Sequence, residues 1–358
     1  MSCCGGPSED EVLLSAEELE RDAAARGIKP RPLESRTNID ERGAFHRPPN
    51  HFTTPFGDKE GELKAEAGRY RLLWSKNCNW SNRSSIVIEL LGLQDAVSVN
   101  VVGHMAENNK YGWGFSFDAG HVDPVLGTEF LSEVYYNAEP DYAGRCTVPA
   151  LVDVTTKKVV NNDFHRLTNY FEVAFRPFQP KDAPDLYPEE LREEIDKMNA
   201  WLYPNINEGH YRMAFAQSLV AYNEAFDDFY NAMDVLEERL ATNRFLFGDY
   251  VTDSDVRFFT TLARFDIAYY RNLGPIKHRV IDYPNIWGYA RDLYEIPAFK
   301  NNTYFRYFAA GIGDKTANFS DFNTRFADQI DFEAVWSAPQ ERKKLSKTPE
   351  EKFLRHQD

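Results

Sequence analysis

The pattern of apolar and polar positions changes character twice along the chain. From residue 1 to about 66, Glu, Arg, Pro, Gly and Asn dominate with little apolar periodicity, which predicts an extended or partly ordered arm. Alternation then begins, with Tyr70, Leu72 and Trp74 on one face of a strand over 69–75. A helix over 79–91 carries Ile86, Ile88, Leu90 and Leu91 and stops at Gly92. Val97, Val99 and Val101 alternate in a second strand over 96–102, so strand, helix and strand predict a parallel pair joined by a right-handed crossover. Past the loop Tyr111-Gly112-Trp113-Gly114-Phe115, a short helix over 130–137 precedes two strands, 147–153 and 158–161. Pro149 stands at the head of the first, where a proline requires an edge position or special backbone geometry, which makes it a candidate cis residue. The order β-α-β-α-β-β describes a small α/β sandwich.

The second change comes after a Pro-rich, charged linker. Phe215, Leu219, Tyr222, Phe226, Phe229, Met233, Leu236 and Leu240 recur at alternating spacings of four and three, which predicts a long amphipathic helix over 215–240 packed in a bundle. Thr252 and Asp255 stand ahead of the apolar run 256–262 as N-cap and N3 of a capping box, so that helix should be buried with a fixed start. Beyond residue 311 periodicity fades into charge, predicting a tail that packs partly or not at all. The resulting organisation is an arm (1–66), an α/β domain (67–175), a linker (176–188), an all-helical domain (189–312) and a tail (313–358).

Composition narrows the classes of function. Lys and Arg number 41 against 56 Asp and Glu, a net charge of −15 that disfavours nucleic acid or an anionic membrane as partner. No apolar run reaches the roughly 20 residues that span a bilayer, and residues 1–12 lack a basic stretch followed by an apolar core. The four cysteines, Cys3, Cys4, Cys78 and Cys146, are too few and too irregular for a disulfide framework, which fits a reducing cytoplasm. Cys3 and Cys4 lack the further ligands of a metal site and read as incidental; no metal is expected. The aromatic content of 14% suits core packing and also a pocket for flat ligands.

Cys78 carries the candidate chemistry. It lies between the first strand and the helix at 79, where unpaired N–H groups and the helix dipole favour a thiolate. Its position alone allows two readings, a nucleophile or a small buried residue at a helix start. No second cysteine stands in a C-x-x-C arrangement, so monothiol chemistry fits better than a dithiol oxidoreductase.

Several segments together resemble the glutathione transferase superfamily, and within it the glutathionyl-hydroquinone reductases, or Xi class. They are Gly112-Trp113-Gly114-Phe115, Tyr142-Ala143-Gly144-Arg145 leading into Thr147-Val148-Pro149, Val160-Asn161-Asn162, Ile206-Asn207-Glu208-Gly209-His210-Tyr211, Thr261-Leu262-Ala263-Arg264-Phe265-Asp266 and Asp282-Tyr283-Pro284-Asn285. The resemblance implies an N-terminal thioredoxin-like domain followed by an all-helical glutathione transferase domain, and a homodimer. It implies reduction of glutathionyl-hydroquinones through a mixed disulfide on Cys78, with glutathione as co-substrate and small aromatic thiol conjugates as partners. By family position Tyr211, Tyr269 and Tyr307 assist protonation, each with a core or rim tyrosine as the alternative. Trp113, Val148 and Pro149 would line the thiol site, with Arg145, Asp163 and Phe164 at its charged ends; Arg145 reads equally as a surface residue. His165 and His210, next to these segments, read as structural.

The chain also departs from the family pattern. Where members usually read Cys-Pro-Trp-Ala-His-Arg, it has Cys78-Asn79-Trp80-Ser81-Asn82-Arg83, and where they have Glu-Ser it has Asp163-Phe164. Phe164 offers no hydroxyl to a carboxylate. The segment Tyr304-Phe305-Arg306-Tyr307-Phe308 matches imperfectly, and the usual Pro and Gly motif is missing from 320–332. Two further readings follow: a related enzyme using another low-molecular-weight thiol, and a non-catalytic binding member of the superfamily.

Overall fold

The computed structural model describes residues 15–32, 38–105, 109–270, 273, 277–310 and 329–356. The expectations for Cys3, Cys4, the start of the arm and residues 313–328 of the tail fall outside the described residues. The chain forms two compact units. The first comprises residues 1–35, 50–85 and 93–167, the second residues 36–49, 86–92 and 168–358.

The first unit is built on a four-stranded sheet ordered β2-β1-β5-β6, with β1 Tyr70–Trp74, β2 Val97–Val101, β5 Ala150–Asp153 and β6 Lys158–Asn161. β1 runs parallel to β2, as the strand-helix-strand pattern predicts, and antiparallel to β5. Alternation in β1 predicts one buried face, but all five residues are buried because the strand is central and both faces are covered. Arg71 therefore lies inside and is neutralised by Asp123 at 2.8 Å. Asp123 also accepts N–H donors from Val125 and Leu126 and the Asn100 amide, so its buried carboxylate is well compensated. Helix α2, Asn79–Leu90, follows β1; α3, Leu131–Ala138, begins where Glu133 accepts the Phe130 and Glu129 N–H groups. The short strands β3 Gly103–His104 and β4 Trp113–Gly114 pair antiparallel.

The arm is more structured than its composition predicts. Ser15 caps helix α1, Ala16–Ala25, and Leu19 and Ala23 are buried with Met105, Tyr111 and Phe130 in a small apolar cluster. Two apolar positions four apart suffice for one packed face in an otherwise charged helix.

The second unit is helical: α4 Leu167–Val173, α5 Arg192–Leu202, α6 Gly209–Ala214, α7 Leu219–Leu240, α8 Asp253–Arg264, α9 Pro284–Tyr294, α10 Pro297–Asn301, α11 Phe305–Ala310 and α12 Phe332–Trp336. α7 starts four residues later than its periodicity predicts. Ser218 adopts extended backbone and accepts the Ala221 N–H at 3.1 Å, a cap that outranks the apolar repeat, and Phe215 and Leu219 stay exposed. Phe229, Met233, Leu236 and Leu240 are buried as predicted. α8 is buried along its whole length, with the predicted box at its head: Asp255 accepts both the Thr252 N–H, 2.8 Å, and the Thr252 hydroxyl, 2.9 Å. The described end of the chain packs onto these helices. Trp336 lies against Trp287, Tyr294 and Phe259, and Arg342, 6% exposed, donates to the Leu240 and Arg244 carbonyls. A charge-rich segment can be pinned this way because its guanidinium donates to the last carbonyl of α7 and to a carbonyl of the loop beyond it.

Candidate functional site

The turn Ser75-Lys76-Asn77 carries the chain from β1 into α2, and two bonds fix it. The Cys78 N–H donates to the Ser75 carbonyl at 2.9 Å, and the Ser75 N–H donates to the Ser81 hydroxyl at 3.2 Å. Cys78 is half-buried at the start of α2. The Ser81 N–H points at its Sγ, 3.5 Å away, and the thiol lies 3.7 Å from the Val148 carbonyl oxygen. One free amide of the helix's first turn, that of Ser81, is therefore aimed at the sulfur, where it can meet the negative charge that develops in sulfur exchange.

The first unit gathers most of the predicted thiol-site residues. Cys78 and Trp113 both pack on one apolar cluster that includes Val148, Leu73, Phe115 and Tyr135. The Val148–Pro149 peptide bond is cis, as the position of Pro149 suggests. Asp163 lies ahead of α4, with one carboxylate oxygen accepting from the Asn50 amide, 3.1 Å, and the His165 N–H, 3.0 Å. The Phe164 ring is buried 4.6 Å from the Trp80 ring and 4.2 Å from His165, so it fills space with apolar surface where a hydroxyl is expected of the family. Arg83 is fully buried with its guanidinium 4.7 Å from the Trp80 ring, which joins the α2 residues to Phe164 through Trp80. Arg145 is exposed, and its carbonyl accepts the Tyr142 hydroxyl at 3.0 Å, holding the turn before Thr147.

In the second unit Tyr211 and Tyr269 come together around His210. The imidazole stacks on Tyr269 at 3.5 Å and 13° and lies 3.8 Å from Tyr211, while the two tyrosine rings are 5.9 Å apart. His210 is buried, and burial first, then the charges of Arg47 and Arg264, hold its pKa well below the usual imidazole value, so the ring is neutral. Tyr269 is buried and Tyr211 half-buried. Tyr307 belongs to α11, which packs on the turn 265–269 that carries Tyr269; its neighbour Tyr304 lies 6.2 Å away, and the Phe308 ring sits under the Arg264 guanidinium at 3.9 Å.

Sequence reasoning missed two arm residues, Arg47 and Asn50. The Arg47 guanidinium is paired with Glu208 at 2.8 Å and lies 4.7 Å from the Tyr211 ring. No periodicity marks them, and the only signal is Arg47-Pro48-Pro49-Asn50, polar residues flanking a rigid pair. Among the described residues no group of three or more His, Cys, Asp or Glu side chains could hold a metal ion, and no helix is long and apolar enough to cross a membrane.

The family model described as glutathione S-transferase, C-terminal domain, matches residues 220–292. The chain is 38% identical over 245 residues to glutathionyl-hydroquinone reductase YqjG of Escherichia coli K12, covering 68% of this chain and 74% of that protein. The structure is similar to the Xi glutathione S-transferase of Phanerochaete chrysosporium, with a TM-score of 0.72 at 33% identity over 79% of this chain and 91% of the other. It is also similar to glutathione-bound YqjG, with a TM-score of 0.67 at 34% identity over 76% and 90% of the two chains.

Proposed function

Since the chain belongs to the glutathionyl-hydroquinone reductases, the Xi class of the glutathione transferase superfamily, we propose that it reduces glutathionyl-hydroquinones to hydroquinones at the expense of glutathione. The observation that carries this reading is the sulfur of Cys78 at the head of α2 with the Ser81 N–H directed at it.

The Cys78 thiolate attacks the sulfur of the conjugate. A Cys78–glutathione disulfide forms and the bond from sulfur to ring carbon breaks, its electron pair staying with the ring. The ring carbon takes a proton and the free hydroquinone leaves. A second glutathione thiolate then attacks the mixed disulfide, releasing glutathione disulfide and restoring Cys78, so the two electrons that reduce the aromatic come from two glutathione thiols. Tyr211 and Tyr269 are assigned the protonation of the ring, with Tyr307 as a further candidate. Trp113, Val148 and Pro149 are assigned to the tripeptide and Asp163 to its ammonium group; Asp163 is already oriented by Asn50 and the His165 N–H, which supports that role.

We assign thiol binding to the domain over 67–175 and substrate binding to the helical domain over 189–312. The reading extends to a homodimer working in the cytoplasm, with neither metal nor nucleic acid as partner, supported by the net charge of −15 and the sparse cysteines. Mass spectrometry of the protein incubated with a glutathionyl-hydroquinone tests the mechanism. The wild type is expected to carry one glutathione on Cys78 and Cys78→Ser none, and full turnover by Cys78→Ala would sink the proposal.

The apolar Phe164 beside Asp163 favours one second reading, a preference for a low-molecular-weight thiol other than glutathione. Comparing turnover with glutathione and γ-glutamylcysteine decides it, and a preference for glutathione removes this reading.

A further inference from the structure

The arm places a charge where the helical unit has a candidate proton donor. Phe45 packs on Phe215 at 5.0 Å, the Gln217 N–H donates to the Gly43 carbonyl at 2.8 Å, and Arg42 pairs with Glu224. These contacts seat residues 42–47 against the end of α6 and the start of α7. Arg47 is thereby held with its side chain 14% exposed, its Nε donating to Glu208 and its guanidinium over Tyr211.

We propose that Arg47 is a positioning residue that acidifies the Tyr211 hydroxyl, so that the arm sets the readiness of that tyrosine to give up a proton. Two observations and a thermodynamic identity support it. A guanidinium 4.7 Å from the ring centroid stabilises negative charge developing on the phenol, and does so strongly where water is scarce. Glu208, 5% exposed, pairs with the cation and keeps it charged despite burial: desolvation pulls the Arg47 pKa down, and Glu208 followed by the Tyr211 hydroxyl raises it above the ordinary value. The coupling is reciprocal, so a phenolate that holds the proton on Arg47 has its own proton loosened by Arg47 to the same extent.

Several neighbours of Tyr211 carry no charge or have theirs paired elsewhere. His210 is neutral, Tyr269 is an uncharged phenol at 5.9 Å, and the Phe215 ring lies near-parallel to Tyr211 at 6.1 Å. Arg212, next in sequence, donates to Asp228 at 2.9 Å and to the Pro204 carbonyl. Arg264, whose charge also reaches His210, is directed onto the Phe308 ring. Glu208 opposes the effect, since its anion disfavours the phenolate, so the acidification is the net of the two charges, with Arg47 the one in contact with the ring.

The consequence for turnover rests on the reading of Tyr211 as proton donor; the electrostatic coupling itself does not. The test therefore reads the tyrosine directly. 3-Fluorotyrosine is placed at position 211 of the full chain, and its 19F shift is titrated in the wild type, Arg47→Met, Arg47→Lys and Glu208→Gln. Arg47→Met is expected to raise the pKa at position 211 by about one unit, a tenfold loss of acidity, Arg47→Lys by less, and Glu208→Gln to lower it. An Arg47→Met pKa that stays put or falls overturns the proposal. Should that variant fail to fold by circular dichroism, a Glu208→Gln pKa that does not fall overturns it instead. Separately, full turnover by Tyr211→Phe would remove the tyrosine from the reaction while leaving the measured coupling intact.

Discussion

Replacing Asp255 by alanine is expected to be among the most damaging single changes in the helical unit, although the residue touches no candidate site group. Its carboxylate accepts four hydrogen bonds: the Leu246 N–H at 2.9 Å, the Tyr289 hydroxyl at 2.8 Å, and the N–H and hydroxyl of Thr252 at 2.8 and 2.9 Å. Asp255, Leu246 and Tyr289 are 0% exposed and Thr252 3%, so water cannot replace the lost acceptor. Alanine leaves two amides and a phenol as buried donors, at about 1–3 kcal/mol each. Against this stands relief from desolvating a carboxylate, since burial pushes the Asp255 pKa up. The net loss is estimated at about 3–5 kcal/mol. Asp255→Asn keeps one acceptor oxygen and turns an amide nitrogen toward two donors, for about 2 kcal/mol, while Thr252→Ala loses only a hydroxyl donor, for about 1 kcal/mol. Guanidinium unfolding followed by circular dichroism at 222 nm orders the three variants. A loss below about 1.5 kcal/mol for Asp255→Ala, at an unchanged m-value, would refute the argument from unsatisfied buried donors.

Burial pushes the Asp266 pKa from 3.8 up to about 6, against N–H groups of Val280 and Ile281 that favour its anion. A carboxyl raised on folding costs nothing below pH 3.8 and an increasing amount up to about pH 6, reaching about 3 kcal/mol. Asp266→Asn should therefore gain on the wild type as urea unfolding is repeated from pH 4 to pH 7, and parallel curves would count against it. The Glu172 pKa is raised well above the usual carboxyl value, first by burial and then by the Asp253 anion, so its contribution also worsens as pH rises past the value in the unfolded chain. Glu172→Gln should stabilise the protein at pH 8 and not at pH 4, a difference readable in melting curves. Gly43 has φ of +82°, and a Cβ there would meet the Ser218 backbone N at 2.9 Å. Gly43→Ala should unseat residues 42–47, detected as faster limited proteolysis in the arm, with unchanged cleavage as the contrary result.

Residues with a period were legible and residues with only a partner were not. Val97, Val99 and Val101 announced β2 by alternating with polar residues, and Met233, Leu236 and Leu240 announced the stripe of α7, where one covered face leaves a repeat in the sequence. Arg71, inside a fully covered strand, reads as polar alternation, and its reason for being there, Asp123, lies fifty-two residues away. The same limit governs the site. Cys78 stood out because the strand and helix on either side of it are local, and Asp163 because a family pattern names its position. Arg47 and Asn50 did not, since Glu208 and Asp163 lie more than a hundred residues further along the chain. Phe215 shows the opposite error, a repeat that begins before the point where Ser218 starts the helix.

The pinning of the helical unit at both of its sequence extremes has a consequence for how the protein is made. Residues 38–49 are synthesised early, yet their partners Glu208, Gln217 and Ser218 appear more than 160 residues later. The Lys352 and Leu354 carbonyls, which accept the Val251 and Asp185 N–H groups, come later still. Until then Phe45 waits without its apolar partner Phe215, and Asp292 without Lys352. The thiol-bearing sheet can assemble while translation proceeds, but the helical unit closes only after residue 354 has emerged, which makes it the slower-folding and more chaperone-dependent half of the nascent chain.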